Sequence, residues 1–130
     1  MTIFTKIINR ELPGYILEEN QHCIAFLDIQ PIKWGHTLVV PKKEIDYLFD
    51  LEETDYLELQ KFAKQVSQRL REIVSCQRIG VAVVGLEVPH THIHLVPIDK
   101  VSDINFSNPK LSFSEEDYQR LVTNYQKGHR

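Results

Sequence analysis

Cysteine is scarce in this chain, and its placement excludes most thiol chemistry. Only two occur in 130 residues, Cys23 and Cys76. They lie far apart and form no Cys-x-x-Cys pair, so neither a dithiol redox motif nor a thiolate zinc cage can be built from them. Both have apolar neighbours, and buried free thiols are expected rather than a disulfide. No apolar run approaches the ~20 residues of a membrane span. The first residues turn polar too soon for a secretory leader. A cytoplasmic protein without a membrane partner is the expectation. Positive charge is not in excess either. The 15 Lys and Arg against 18 Asp and Glu give a formal net charge of −3, which offers no broad basic face for nucleic acid. There is no internal repeat and no low-complexity linker, and at this length a single domain over residues 1–130 is expected.

What the chain does concentrate is histidine. Three of its six histidines stand at alternate positions in Pro89-His90-Thr91-His92-Ile93-His94-Leu95-Val96-Pro97. A strand points alternate side chains to one face, so the spacing predicts a strand with His90, His92 and His94 in a row and Thr91, Ile93 and Leu95 behind. On a helix the three rings would scatter around the axis. Buried imidazoles each need a polar partner, so packing alone is a poor reason for such a row.

The rest of the pattern predicts a framework for it. Ile3, Phe4, Ile7 and Ile8 have helical spacing, ending near Asn9 before the turn pair Pro13-Gly14. Tyr15–Glu18, His22–Leu27 and His36–Val40 read as strands with short links, hence antiparallel neighbours. Residues 53–73 read as the long helix, with Leu57, Phe62, Val66, Leu70 and Ile73 as its apolar stripe and Asp50 or Thr54 as its cap. Its Lys61, Lys64, Arg69 and Arg71 side reads as a solvated face. Arg78–Leu86 is almost unbroken apolar sequence and is expected to be a central strand covered on both faces. Asn105–Pro109 reads as a loop. Ser114-Glu115-Glu116-Asp117 looks like a capping box opening a short helix through Tyr125, with a frayed end over Lys127–Arg130. Strands, a long helix, then strands again predict an α+β domain with an antiparallel sheet.

Two chemistries suit the histidines. His-x-His on a strand can ligate zinc, with His36 or His94 as a third ligand, although Glu87 is the only carboxylate close in sequence. Alternatively, a neutral imidazole can attack phosphorus and carry a phosphoryl or nucleotidyl group while its neighbours hold its tautomer and the phosphate oxygens.

At His90-Thr91-His92-Ile93-His94-Leu95-Val96 the chain resembles the histidine triad (HIT) family, whose signature is His-x-His-x-His followed by two apolar residues. Ile3–Ile8, Ala25–Pro31, Gly35–Lys43 and Glu87–Pro89 resemble the matching segments of Hint-type members, in the same order. The resemblance covers about residues 2–98 and leaves about 99–130 as a C-terminal extension with a short helix. It implies the HIT-like fold, with a five-stranded antiparallel sheet, one long helix and short terminal helices. It also implies a hydrolase or nucleotidyl transferase that cleaves a nucleoside monophosphate, purine nucleotides included, from a phosphoramidate-like leaving group through a nucleotidyl-histidine intermediate. In that reading His92 is the nucleophile and His94 contacts the α-phosphate. His90 is buried behind them, and His36 completes the cluster. Asp28 takes the ribose hydroxyls, and Phe4, Ile7, Ile29 and Leu38 surround base and sugar. A homodimer is implied, and no cofactor.

Three departures from the family pattern carry their own expectations. The positions that hold structural zinc ligands in many members are Thr2, Thr5 and Glu44 here, with only His90 remaining, so no structural zinc is expected. Leu86 stands where a Gln often follows the Gly before the triad. The loop ahead of that Gly is shortened to Val83-Val84-Gly85. The latter two changes raise the alternative of a nucleotide-binding module with little turnover.

Overall fold

The computed structural model describes residues 1–128. Five strands, β1 (Ile16–Glu19), β2 (Cys23–Leu27), β3 (Thr37–Pro41), β4 (Arg78–Ala82) and β5 (Ile93–Ile98), form one antiparallel sheet in the spatial order β1-β2-β3-β5-β4. Three α-helices accompany it: α1 (Ile3–Ile8), the long α2 (Glu53–Ile73) and α3 (Glu115–Lys127). This is the α+β architecture with a five-stranded antiparallel sheet that the sequence predicts.

The central strands are β2 and β3, and every residue of both is buried. Alternation divides their side chains between two layers. Cys23, Ala25, Leu27 and Val39 face one way, into a core shared with Leu59, Phe62, Val66 and Leu70 of α2 and Leu121 of α3. Ile24, Phe26, Leu38 and Val40 face the other way and meet Phe4 of α1. One face of the sheet is therefore closed by two helices, and the other only by the short α1 and neighbouring loops. That thinner covering leaves room for a site.

Four local expectations are corrected. The stripe of α2 is Leu59, Phe62, Ala63, Val66 and Leu70, while Leu57 is 58% exposed. Leu57 precedes Leu59 by two residues, which turns it to the opposite side of a helix. Neither Asp50 nor Thr54 caps α2; Glu52 holds that position without a side-chain bond. Arg69 on its polar side is not merely solvated, because its guanidinium donates to the carbonyls of Asn124 and Tyr125 near the end of α3. Arg78–Leu86 is not a central strand. Its paired part, Arg78–Ala82, is an edge strand joined only to β5, with Val81 62% exposed. An apolar run shows that a segment resists water but not which faces are covered, and α2 lies across β2, β3 and β5 and touches β4 least of the four.

The thiols divide as well. Cys23 is buried, and burial pushes its pKa up to about 12, whereas Cys76 is only partly covered. Ser114 caps α3 through a bond from the Asp117 amide at 3.1 Å. The helix runs to Lys127 with Gly128 as its C-cap, further than expected, and His129–Arg130 lie outside the described residues. Among the described residues no helix is long and apolar enough to cross a membrane.

Candidate active site

The histidine row is built differently from the simple strand the spacing predicts. β5 begins at Ile93, so His94 alone lies in the strand and His90 and His92 precede it. The ladder with β3 ends at the Val39–Ile93 pair. Beyond that point the chain satisfies its backbone elsewhere, the Thr91 amide bonding the Ile45 carbonyl at 2.7 Å. The Pro41 carbonyl, at the end of β3, is taken by a side chain instead, His90 Nε2 at 2.8 Å. The rings are still brought together, by these bonds rather than by the pleat.

His94 itself is positioned by register. It pairs with Leu38, which pairs with Phe26, and these side chains share the less covered face of the sheet. Phe26, Leu38 and His94 thus form the floor of a cavity of about 550 Å³, within the ordinary range for a small-molecule site. Its lining includes Asp28, His36, His92, Phe4, Ile7 and Ile29. All the residues implied by the resemblance line this cavity except His90, which is fully buried behind His92.

The hydrogen bonds fix the ring tautomers. A backbone carbonyl only accepts and a backbone amide only donates, so each contact assigns a proton. His92 Nδ1 is 2.7 Å from the His90 carbonyl and donates to it, which in the neutral ring leaves Nε2 with a free lone pair. His36 Nδ1 accepts from the Ile32 amide at 3.2 Å, so the proton of the neutral ring is on Nε2. That Nε2–H donates to His94 Nδ1 at 2.9 Å, and neutral His94 therefore carries its proton on Nε2. His90 Nε2 donates to Pro41, and its Nδ1 accepts from the Thr2 hydroxyl at 2.8 Å. The result is a bare nitrogen on His92 beside an N–H donor on His94, the two rings 4.9 Å apart.

Burial keeps the supporting rings neutral. It is the largest effect on His36, lowered to about 4, and on His94, lowered to about 3, with mutual repulsion among the histidines adding to it. Burial also lowers His90. The Asp28 carboxylate is 3.6 Å from His36 Nε2, a contact with a neutral ring at pH 7 rather than an ion pair. Asp28 Oδ1 accepts from the Gln30 amide at 2.8 Å, and Tyr118 of α3 donates to the Asp28 carbonyl at 3.0 Å. The strand-end Asp is thereby a turn former as well as a cavity group.

Asp28, His36 and His94 bring one ligand atom each within 4.8 Å of one another. These are the described residues that could hold a metal. A metal using the facing nitrogens of His36 and His94 would have to break the bond between them. At Thr2, Thr5 and Glu44 the chain forms a hydrogen-bonded cluster against His90. Glu44 Oε1 accepts from the Thr5 hydroxyl and the Thr2 amide, both at 2.7 Å, and the Thr2 hydroxyl reaches His90. This cluster fixes α1, which carries Phe4 to within 5.0 Å of the His92 ring centre.

The chain matches the HIT domain family over residues 9–101. It belongs to the HIT family. An uncharacterized HIT-like protein of Borreliella burgdorferi is 36% identical, over 92% of this chain and 91% of its own length. The adenosine 5'-monophosphoramidase of Saccharomyces cerevisiae is 33% identical, over 73% of this chain and 61% of its own length. Among solved HIT structures, a hypothetical histidine triad nucleotide-binding protein of Sulfolobus tokodaii superposes with a TM-score of 0.81 at 30% identity, covering 96% of this chain and 89% of that one.

Two lining residues lie C-terminal to the HIT match. Phe106 sets its ring 4.6 Å from that of His94, and Lys110 reaches the same cavity. Neither carries a periodic or motif signal in the sequence; they arrive through the fold of the loop after β5.

Proposed function

We propose that this HIT protein is a nucleotide hydrolase or nucleotidyl transferase that works through a covalent intermediate on His92. The observation that carries the reading is the pair of hydrogen bonds that set the rings, His92 Nδ1 on the His90 carbonyl and His36 Nε2 on His94 Nδ1, which in the neutral rings leave a bare His92 Nε2 beside an N–H on His94. The His92 lone pair attacks the α-phosphorus of a nucleoside monophosphate conjugate. The bond from phosphorus to the leaving group breaks, and its electrons depart with that group, which takes a proton from water. Water or the resulting hydroxide then attacks phosphorus, the bond to Nε2 breaks, and nucleoside monophosphate is released. His94 Nε2–H donates to a phosphate oxygen as charge builds there. His90 acts through its carbonyl, which holds His92 in the attacking tautomer, and His36 acts through its ring Nε2–H, which holds His94 in the donating one. Asp28 accepts from the ribose hydroxyls, and Phe4, Ile7, Ile29 and Leu38 enclose sugar and base. The relation to an adenosine 5'-monophosphoramidase supports a phosphoramidate leaving group.

The test uses an adenosine phosphoramidate with the native protein and the His92→Ala variant. Turnover by the native protein alone, with a nucleotidyl-protein adduct in a rapid acid quench, is the expected result. Equal turnover by both removes His92 from the reaction. Tight monophosphate binding with no adduct and no turnover indicates a binding module instead. Leu86 favours that second reading, because an apolar side chain, 90% exposed, stands at the cavity mouth where an amide would bond a phosphate or leaving group.

The homodimer belongs to the same reading. The outer edge of β4, with Val81 62% exposed, is an unpaired strand edge suited to meet its copy. Light scattering across a dilution series should give twice the chain mass; a constant monomer mass would rule it out.

A further inference from the structure

We propose that Lys110 is the phosphate-binding cation of the cavity, so that the segment after the HIT match sets affinity for the charged end of a nucleotide. The inference rests on the nucleotide reading above and assigns a residue to which the family motif gives no role.

Charge balance is the first ground. A phosphate monoester brings nearly two negative charges at neutral pH. The cavity it enters already holds two carboxylates, Asp28 and Glu87. His36 and His94 are uncharged there at neutral pH. Among the described residues lining the cavity, Lys110 is the only Lys or Arg. An anion moved out of water beside carboxylates and neutral rings needs a cation or several strong donors.

Availability is the second. Lys33, Lys42 and Lys43 are held in ion pairs with Asp103, Glu19 and Asp55 at 3.7, 2.8 and 2.8 Å. Lys110 has no carboxylate within ion-pair distance among the described residues. Its charge does reach the imidazoles, where it acts against protonation of both His36 and His94.

Position is the third. The Leu111 amide bonds the Pro31 carbonyl at 2.8 Å, tying the Lys110 backbone to the turn that begins at Asp28. Asn108 Nδ2 donates to the Ser102 carbonyl at 2.9 Å and steadies the loop before it. Phe106 packs on the His94 ring in the same loop. The lysine stem is flexible, but its root is fixed at the rim, which suits a point charge that follows a phosphate.

The test is calorimetric titration of the full chain with AMP and, separately, with adenosine, using native protein, Lys110→Gln and Lys110→Arg. Loss of a charge-assisted contact should weaken AMP binding by roughly tenfold or more in Lys110→Gln. Adenosine affinity should stay within about twofold, and Lys110→Arg should keep most of the AMP affinity, because only the charge is required. Unchanged AMP affinity in Lys110→Gln overturns the inference and leaves the nucleotide reading standing. An equal loss for adenosine and AMP overturns it too, since a phosphate contact cannot act on a nucleoside. Native protein that binds neither ligand overturns the nucleotide reading itself, and this inference with it.

Discussion

His36 Nε2 and His94 Nδ1 are 2.9 Å apart, although 58 positions separate the residues in the chain. The bond is polarised by a backbone amide, that of Ile32 donating to His36 Nδ1, so a main-chain group ultimately decides which nitrogen of His94 faces the cavity with a proton. His94→Ala should therefore lower kcat by about 10²–10³-fold, the usual cost of losing a donor aimed at developing charge. His36→Ala should lower it less, because the His94 ring remains and only its tautomer is released. Steady-state kinetics on a phosphoramidate would check the order; a larger loss in His36→Ala than in His94→Ala would contradict it.

Stability should fall on mild acidification. His36 and His94 shift from an ordinary 6.5 to about 4 and about 3 in the folded protein. Above about pH 6.5 the rings are neutral in both states and contribute no pH dependence. As pH drops below that value, the unfolded chain binds protons that the folded chain rejects, so unfolding becomes easier. The slope approaches about 1.4 kcal/mol per pH unit for each such ring. Urea midpoints should decrease steadily from pH 7 to pH 5, and His36→Asn should flatten the decline. A level profile across that range would refute the neutral burial of these rings.

The cluster of Thr2, Thr5, Glu44 and His90 should accept zinc when given zinc ligands. The Thr2 and Thr5 hydroxyls already converge on His90 Nδ1, and Glu44 bonds both threonines. The combined Thr2→Cys, Thr5→Cys and Glu44→His variant should bind one zinc per chain by elemental analysis, through two thiolates and two imidazoles. Thr2→Val alone should destabilise the fold by about 1–3 kcal/mol, because it leaves a buried ring nitrogen without its hydroxyl donor. Absence of stoichiometric zinc from the combined variant would show that the four positions do not form a tetrahedral set.

Gly35 should resist any side chain. Its φ of +88° lies in the left-handed region, and an added Cβ would stand 3.1 Å from both Pro97 Cγ and Val74 Cγ2. Gly35→Ala should cost on the order of 1–3 kcal/mol from backbone strain. Because His36 is the next residue, kcat should fall alongside the urea midpoint. A variant with unchanged midpoint and turnover would show that the turn has an unstrained alternative.

Much of this protein is determined by the sequence alone. The long helix and the antiparallel sheet follow from period-3.6 and period-2 patterns, and the grouping of His36 and Asp28 with the triad is implied only by the resemblance to the HIT family. Those signals are local, because each residue's periodicity reports the face it shares with its sequence neighbours. What only the tertiary structure decided is non-local. Arg78–Ala82 is an edge strand because, among the described residues, no strand pairs with its outer side, a fact no apolar run encodes. The triad leaves the strand at His92 because the His90 side chain, rather than a strand partner, bonds the Pro41 carbonyl. The tautomers depend on the carbonyl of His90 and the amide of Ile32, main-chain groups that are the same in every sequence. Lys110 and Phe106 enter the cavity because the loop after β5 folds back against Pro31, where nothing in their own spacing marks them.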